Sequence, residues 1–80
     1  MSIMKSLEDF VALFAEQFDE TDASVFTSDT KYRELDEWSS LSALSIIAMV
    51  DEEFGVALKG NDIRNAETIS DLYNIVKEKV

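Results

Sequence analysis

The segment from Asp36 to Gly55 constrains the fold most strongly. Ser39 and Ser40 stand ahead of a run in which apolar residues recur at helical spacing, and Gly55 closes that run. Serine is a preferred N-cap residue, and glycine commonly ends a helix because it tolerates a positive φ. We therefore predict a helix that begins at Ser39 or Ser40 and ends at Gly55.

The apolar residues of this helix predict which side faces the core. A broad face that we expect to be buried consists of Leu44, Ile47, Val50 and Phe54, with Leu41 and Ile46 beside them. The other side, which we expect to face solvent, consists of Ser42, Ser45, Met49 and Glu52. This division follows from the helical period.

A first helix is predicted near the N-terminus. Its apolar stripe consists of Ile3, Leu7, Phe10, Val11, Phe14 and Phe18. Ser6, with Asp9 three residues later, resembles a capping box, whereas Ile3 belongs to the same stripe and favours a start near Ser2. Both starts are compatible with the sequence.

A last helix is predicted after Thr68, which forms a capping-box pattern with Asp71. The apolar stripe behind this cap consists of Ile69, Leu72, Tyr73, Val76 and Val80. Ahead of it, residues 62–66 are predicted to form a short turn that buries Ile63 and Ala66.

Residues 19–38 show neither strand alternation nor a sustained helical stripe, and they are rich in Asp, Ser and Thr. They predict a long loop, held to the core by Phe26, Tyr32, Leu35 and Trp38. The chain has no proline, two glycines and no convincing strand pattern. Together these features predict an all-α fold: one domain over residues 1–80, a small four-helix bundle with three main helices, one short helix and a long first loop.

The composition excludes several kinds of site and partner. The chain has no cysteine and no histidine, so a disulfide, a thiolate zinc site and imidazole catalysis are all excluded. A formal charge of −10 disfavours binding to nucleic acid or an anionic membrane. No apolar run has the length of a membrane span, and the first residues lack a signal-peptide core, so we expect a cytoplasmic protein.

Acidic residues dominate the centre of the chain. Between Glu34 and Leu58 there are six acids and no lysine or arginine: Glu34, Asp36, Glu37, Asp51, Glu52 and Glu53. The last three fall in the final turn of the predicted helix, where each negative charge opposes the helix dipole at a typical cost of about 0.3–1 kcal/mol. A solvated charged face is the usual explanation of such a run. Because fold stability does not explain the placement, we favour docking of a basic partner along this helix.

Ser40 is the first candidate for chemistry. One interpretation is a helix-start serine that competes with Ser39 for the capping role, and the residues alone favour that interpretation. A phosphate ester at this position would also be stabilised by the helix N-terminus. No phosphate-binding glycine loop, nucleophile–base pair or metal constellation is present, so the sequence does not predict an enzyme.

Three motifs in one register carry a resemblance to a known family. They are Ser39-Ser40-Leu41 at the helix start, Phe54-Gly55-Val56 fourteen residues after Ser40, and Leu35-x-x-Trp38 ahead of the helix. With the length and acidity of the chain, they resemble an acyl carrier protein, whose motif Asp-Ser-Leu contains the serine that bears phosphopantetheine. The resemblance implies a bundle of three longer helices and a short one, and a carrier rather than an enzyme.

The resemblance also implies a cofactor, a site and partners. Ser40 would receive phosphopantetheine from coenzyme A through a separate, magnesium-dependent phosphopantetheinyl transferase, and the thiol of the arm would hold acyl groups as thioesters. Apolar residues that would shelter the acyl chain are Leu44, Ile47, Val50, Ile63, Ala66 and Ile69. Residues that would meet basic docking patches on acyl-loading and synthase enzymes are Asp36, Glu37, Leu41, Asp51 and Glu52, with Glu53 beside them.

Departures from the family pattern indicate a specialised role. Ser39 replaces the aspartate of the motif, and Ser42 and Ser45 stand where many carriers of fatty acid synthesis have acids. We therefore expect a monomeric carrier of a specialised fatty acid, polyketide or envelope pathway. The alternative is an unmodified, carrier-like domain that serves as an acidic protein-interaction module.

Overall fold

The computed structural model describes residues 5–80, and this part of the chain is helical without strands. Four α-helices run in the order α1 (Leu7–Ala15), α2 (Ser40–Phe54), α3 (Gly60–Asn65) and α4 (Ile69–Lys79). Two 3₁₀ turns, Ala23–Val25 and Tyr32–Glu34, lie in the long connection between α1 and α2. The predicted architecture of three main helices, one short helix and a long first loop is confirmed. No helix within residues 5–80 combines the length and the apolarity that crossing a membrane requires.

Helix α1 begins at the later of the two predicted starts. The Ser6 hydroxyl accepts a hydrogen bond from the Asp9 N–H at 3.1 Å, which satisfies one of the unpaired donors at the helix start. Phe10 and Phe14 are fully buried. The alternative start near Ser2, and Ile3 with it, lie outside the described residues.

Helix α2 has the predicted bounds. Ser39 is its N-cap, and Gly55 follows its last residue with φ = 67°, where the Gly55 N–H donates to the Asp51 carbonyl. This left-handed conformation is costly for residues with a Cβ atom, which explains why glycine ends the helix.

The predicted buried face of α2 is confirmed at Ile46 and Val50 and partly at Ile47 and Phe54, but it was wrong at four other residues. Leu41 and Leu44 are 73% and 61% exposed, whereas Ser42 and Met49, expected in solvent, are buried. The residues of α2 that do face the core are Ser42, Ile46, Met49 and Val50, with Ala43, Ile47 and Phe54 partly buried beside them. Helical spacing alone is compatible with either face. The buried Ser42 hydroxyl is tolerated in the core because it donates to the Glu37 carbonyl at 3.0 Å.

Helices α3 and α4 largely follow the predictions. Helix α3 begins at Gly60, two residues before the predicted start at Asp62, and it buries Ile63 as predicted. The Asp62 carboxylate caps the helix by accepting from the Lys59 N–H at 3.0 Å. At α4 both halves of the capping box of Thr68 are present. Val80 was predicted to continue the buried stripe, but it lies beyond the helix end and is 60% exposed.

The eight aromatic residues form one connected network of ring contacts. Their members are Phe10, Phe14, Phe18, Phe26, Tyr32, Trp38, Phe54 and Tyr73. Phe14 is central, because its ring lies within 6.3 Å of those of Phe10, Phe18, Phe26 and Tyr32. The network joins α1 and α4 to the long loop and reaches the residue before the N-cap of α2. The predicted attachment of the loop through buried apolar side chains is therefore confirmed.

Backbone hydrogen bonds fix the loop to the start of α4 as well. The Ile69 N–H donates to the Thr30 carbonyl at 3.1 Å, and the Ser70 N–H donates to the Ser28 carbonyl at 2.9 Å. These bonds satisfy donors at the N-terminus of α4 that the helix itself leaves unpaired. The loop is consequently a fixed part of the scaffold that presents α2.

Candidate functional site

Ser39 and Ser40 have different roles at the start of α2. The Ser39 hydroxyl accepts from the Ser42 N–H at 3.3 Å, and the Ser39 carbonyl accepts from the Ala43 N–H at 3.1 Å. Ser39 has extended backbone angles, as an N-cap requires. The competition that the sequence left open is therefore decided, since Ser39 caps the helix.

Ser40 occupies the first helical position with an exposed side chain. Within residues 5–80 its hydroxyl has no hydrogen-bond partner, and the N–H groups of Ser40 and Leu41 have no acceptor. Such donors, with the positive end of the helix dipole, favour an anion at this place. Ser40 thus offers an accessible hydroxyl whose modification would break no hydrogen bond within residues 5–80.

A hollow of about 340 Å³ borders Ser40. It lies between the second 3₁₀ turn, the start of α2 and helix α3. Its lining consists of Arg33, Trp38, Ser39, Ser40, Ala43, Gly60, Ile63 and Arg64. Its volume falls within the range of small-molecule sites in proteins, which is about 300–1,000 Å³.

An exposed stripe runs along α2 from Ser40 towards Gly55. This α2 outer stripe consists of Leu41, Leu44, Ala48, Asp51 and Glu52. Its first half is apolar and its last turn is acidic, with no basic residue in that turn. Glu53 lies beside it, and its carboxylate is 4.0 Å from the Lys5 ammonium. Large exposed leucines next to one another are unusual on a small domain and are typical of a contact surface.

The two other acids predicted to meet partners, Asp36 and Glu37, precede the helix. Asp36 is exposed, whereas Glu37 is half-buried. The Glu37 carboxylate accepts from the Thr21 hydroxyl at 2.6 Å and from the Glu20 N–H at 3.2 Å. Glu37 therefore holds the loop together, a role that the sequence did not predict.

The residues predicted to shelter an acyl chain are divided between core and surface. Val50, Ile63, Ala66 and Ile69 are buried in the core, and Ile47 is partly buried against it. Leu44 lies on the opposite side, in the α2 outer stripe. Of the six, Ile63 alone lines the hollow beside Ser40.

A comparison with known families decides what kind of protein has this geometry. Residues 8–76 match the family described as "Phosphopantetheine attachment site". The chain belongs to this phosphopantetheine attachment family. Its members are carriers rather than enzymes, and their cofactor is covalently attached phosphopantetheine.

A solved structure gives the same assignment for this family member. The fold is similar to that of the holo acyl carrier protein from Geobacter metallireducens, determined in solution, with a TM-score of 0.74. The two chains are 25% identical, and the match covers 95% of this chain and 86% of the other. No curated protein matches the sequence significantly. The predicted resemblance to acyl carrier proteins is confirmed at the level of family and fold.

The described residues fit the cofactor of the family. The arm joins a serine through a phosphodiester, and Ser40 combines an exposed, unpartnered hydroxyl with two unpaired backbone N–H groups at a helix start. Ser39 fulfils the capping role with its hydroxyl, so the aspartate of the family motif is not required for the helix to begin here.

Sequence reasoning missed Arg33 and Arg64, which line the hollow from two different elements. No local spacing links them, because one follows Tyr32 in the loop and the other lies in α3. The available signal was compositional, since they are the two arginines of an acidic chain. Tertiary structure was needed to show that both line the same hollow as Ser40.

Proposed function

We propose that this chain carries acyl groups as thioesters on a phosphopantetheine arm attached to Ser40. The observation that supports Ser40 most directly is the contrast between two adjacent hydroxyls. The Ser39 hydroxyl is engaged in the helix cap, whereas the Ser40 hydroxyl is exposed and has no partner within residues 5–80. A transferase would reach Ser40 without disturbing the cap.

In the attachment reaction, the Ser40 oxygen attacks a phosphorus atom of the coenzyme A pyrophosphate. A new oxygen–phosphorus bond forms, the bond to the nucleotide half breaks, and the serine proton passes to a base on the transferase. The product is a phosphodiester at the N-terminus of α2, where unpaired N–H groups and the helix dipole stabilise its negative charge.

The α2 outer stripe is the surface we assign to partner enzymes. Leu41 and Leu44 offer apolar contact next to Ser40, and Asp51 and Glu52 offer negative charge to a basic patch. Apolar anchors supply affinity, while complementary charge raises the association rate and orients the partner. With Ser42 buried and Ser45 uncharged, acidity is confined to the far end of the stripe, which supports a specialised pathway.

Shelter for the acyl chain is proposed between α2 and α3. The hollow beside Ser40 gives an entrance whose apolar edge includes Ile63, and Val50, Ala66 and Ile69 lie deeper in the core. Because Leu44 faces outward, we assign it to partner contact instead of to the acyl pocket.

A second candidate is an unmodified, acidic protein-interaction module. The observation that favours it is the serine at position 39, where the family motif has an aspartate beside the reacting serine. A neutral residue there removes a negative charge close to the transferase and its metal ion, so modification would be slower or absent.

Intact-mass measurement before and after incubation with coenzyme A, magnesium and a broad-specificity phosphopantetheinyl transferase tests the proposal. We expect the wild-type protein to gain the mass of one arm and Ser40→Ala to gain nothing. Ser45→Ala, which removes a hydroxyl from the same helix, is the matched control and should be modified like the wild type. Circular dichroism should show the helix content of all three proteins to be equal.

A Ser40→Ala protein that still gained the arm would refute the assignment of the site. If the wild type gains nothing while a standard carrier in the same tube is modified, Ser39→Asp is the next variant. Modification of Ser39→Asp would indicate a dedicated transferase for the natural chain, whereas its failure would favour the interaction module.

A further inference from the structure

The hollow beside Ser40 concentrates positive charge in an otherwise acidic protein. The chain has seventeen acids and seven bases, and Arg33 and Arg64 are its two arginines. They come from separate elements, the second 3₁₀ turn and α3, yet both line the hollow that Ser40 borders. Local sequence does not require this arrangement, so it calls for an explanation in terms of what the hollow binds.

Neither arginine forms an ion pair with a carboxylate in the part of the chain that the structure describes. The three ion pairs within residues 5–80 all use lysines: Lys5 with Glu53, Lys31 with Glu67, and Lys79 with Asp62. Two arginines that line one hollow and have no carboxylate partner within residues 5–80 give the hollow a positive charge that suits a different anion.

Each arginine donates a hydrogen bond to a neutral acceptor on α3 or just after it. Arg33 donates from Nη2 to the Ala66 carbonyl at 2.9 Å, and Arg64 donates from Nη2 to the side-chain oxygen of Asn61. A guanidinium group has five N–H donors, so each arginine keeps most of its donors and its full charge for a ligand. The planar fork of arginine suits phosphate oxygens better than the point charge of lysine.

We propose that Arg33 and Arg64 clamp the phosphodiester that joins the phosphopantetheine arm to Ser40. The inference rests on attachment of the arm at Ser40. That phosphodiester is a permanent monoanion bonded directly to the Ser40 oxygen, and the N–H groups of Ser40 and Leu41 approach it from the helix side. The two arginines complete the site from the side of the hollow.

The clamp also sets the direction in which the arm leaves Ser40. Trp38, Ala43 and Ile63 give the hollow an apolar edge, against which the part of the arm next to the phosphate packs. A Cβ atom at position 60 would lie 3.7 Å from Nη1 of Arg64, an ordinary contact distance, so the Arg64 guanidinium group lies beside Gly60 at the start of α3. The arm therefore leaves Ser40 through the gap between α2 and α3, with its acylated thiol at the far end.

Nuclear magnetic resonance of the apo and arm-bearing protein tests the clamp without any enzymatic readout. In the wild type, we expect the Nε–H signals of Arg33 and Arg64 to move when the arm is attached. The movement should fall roughly twofold or more when salt is raised from about 0.1 M to about 1 M, which shortens the Debye length from about 10 Å to about 3 Å. The phosphorus-31 signal of the arm should shift in Arg33→Gln/Arg64→Gln relative to the wild type.

The matched control is Lys5→Gln/Lys77→Gln, which removes the same amount of positive charge at residues that do not line the hollow. Its phosphorus-31 signal should coincide with that of the wild type. Arginine signals that stay in place when intact mass shows the arm on Ser40 would overturn the clamp and leave the attachment site standing. Failure of the wild type to gain the arm would instead refute the proposed function. If Arg33→Gln/Arg64→Gln is not modified by the transferase, its phosphorus-31 signal is not measured. The Nε–H signals of the wild type then decide whether the arginines bind the phosphodiester.

Discussion

At the scale of single residues, Tyr32 connects the long loop to the helices that follow α2. Its side chain is fully buried. Its hydroxyl donates to the Ile63 carbonyl at 2.6 Å, and the Ala66 carbonyl is a second acceptor at 3.2 Å. Burial raises the pKa of Tyr32 to about 12, because the phenolate would lose its hydration, although the charge of Arg33 opposes this shift. Tyr32 therefore supports one wall of the Ser40 hollow through α3.

We expect Tyr32→Phe to lower the free energy of unfolding by about 1–3 kcal/mol at neutral pH, because the buried Ile63 carbonyl loses its hydroxyl donor. The folded pKa lies above the unfolded value of about 10, so the contribution of the neutral phenol is complete below that pH. It is lost as pH rises from about 10 to about 12. Urea unfolding of both proteins at neutral pH and above about pH 10 measures the effect.

The difference between the wild type and Tyr32→Phe should narrow over this alkaline range. A difference that stays constant up to about pH 11 would mean that the Tyr32 hydroxyl ionises as readily in the folded protein as in the unfolded chain, and would contradict its burial.

At the scale of elements, the acidic residues in the last turn of α2 lower the stability of that helix. Asp51, Glu52 and Glu53 occupy its last turn, and only Glu53 has a basic neighbour within residues 5–80. Negative charge at a helix C-terminus is unfavourable, so the placement of the other two acids is better explained by a partner than by the fold.

We expect Asp51→Lys/Glu52→Lys to keep or raise the free energy of unfolding, by up to about 0.3–1 kcal/mol per charge, because lysine complements the helix dipole. The same variant should raise the apparent KM of the transferase and reduce its dependence on salt. Thermal unfolding and modification rates over a salt series measure the two effects separately.

Asp29→Lys/Glu78→Lys changes the net charge equally at exposed positions away from α2 and serves as the control. If both double variants change the apparent KM to the same extent, net charge and not the α2 outer stripe governs recognition, and the docking surface is refuted.

At the scale of the whole molecule, the aromatic network compensates for small size. A domain of this length buries a modest share of its surface, and typical stabilities of about 0.05–0.15 kcal/mol per residue correspond to about 4–12 kcal/mol here. Phe14 is fully buried and contacts four other rings from α1 and the loop. One side chain thus links the elements that support the start of α2.

We expect Phe14→Ala to lower the free energy of unfolding by about 3–5 kcal/mol, since it leaves a cavity at the centre of the network. Urea unfolding followed by Trp38 fluorescence and by circular dichroism measures the loss. Val25→Ala, at a side chain that is 46% exposed, should change stability by less than about 0.5 kcal/mol. A cost below about 1 kcal/mol for Phe14→Ala would show that the core rearranges around the missing ring.

Interactions confined to about one helical turn were readable from the sequence. The cap at Thr68 and the glycine at the end of α2 were predicted, and the cap at Ser6 was one of two predicted starts, because each depends on partners within four residues in the chain. The motif around Ser40 was recognisable for the same reason, as its register depends only on spacing. The helix count, the long loop and the family all follow from such local patterns.

Tertiary structure alone decided which face of α2 is buried and what surrounds Ser40. Apolar residues extend over more than one side of α2, so spacing grouped Leu41 and Leu44 with Ile46 and Val50. Packing buried Ser42 and Met49 beside Ile46 and Val50 and left the two leucines exposed. Arg33 and Arg64 line one hollow because the loop is held against α3, where Tyr32 donates to the Ile63 carbonyl and Arg33 to the Ala66 carbonyl. The physical reason is that periodicity defines the faces of a helix, but which face loses contact with water depends on neighbours that are distant in the chain.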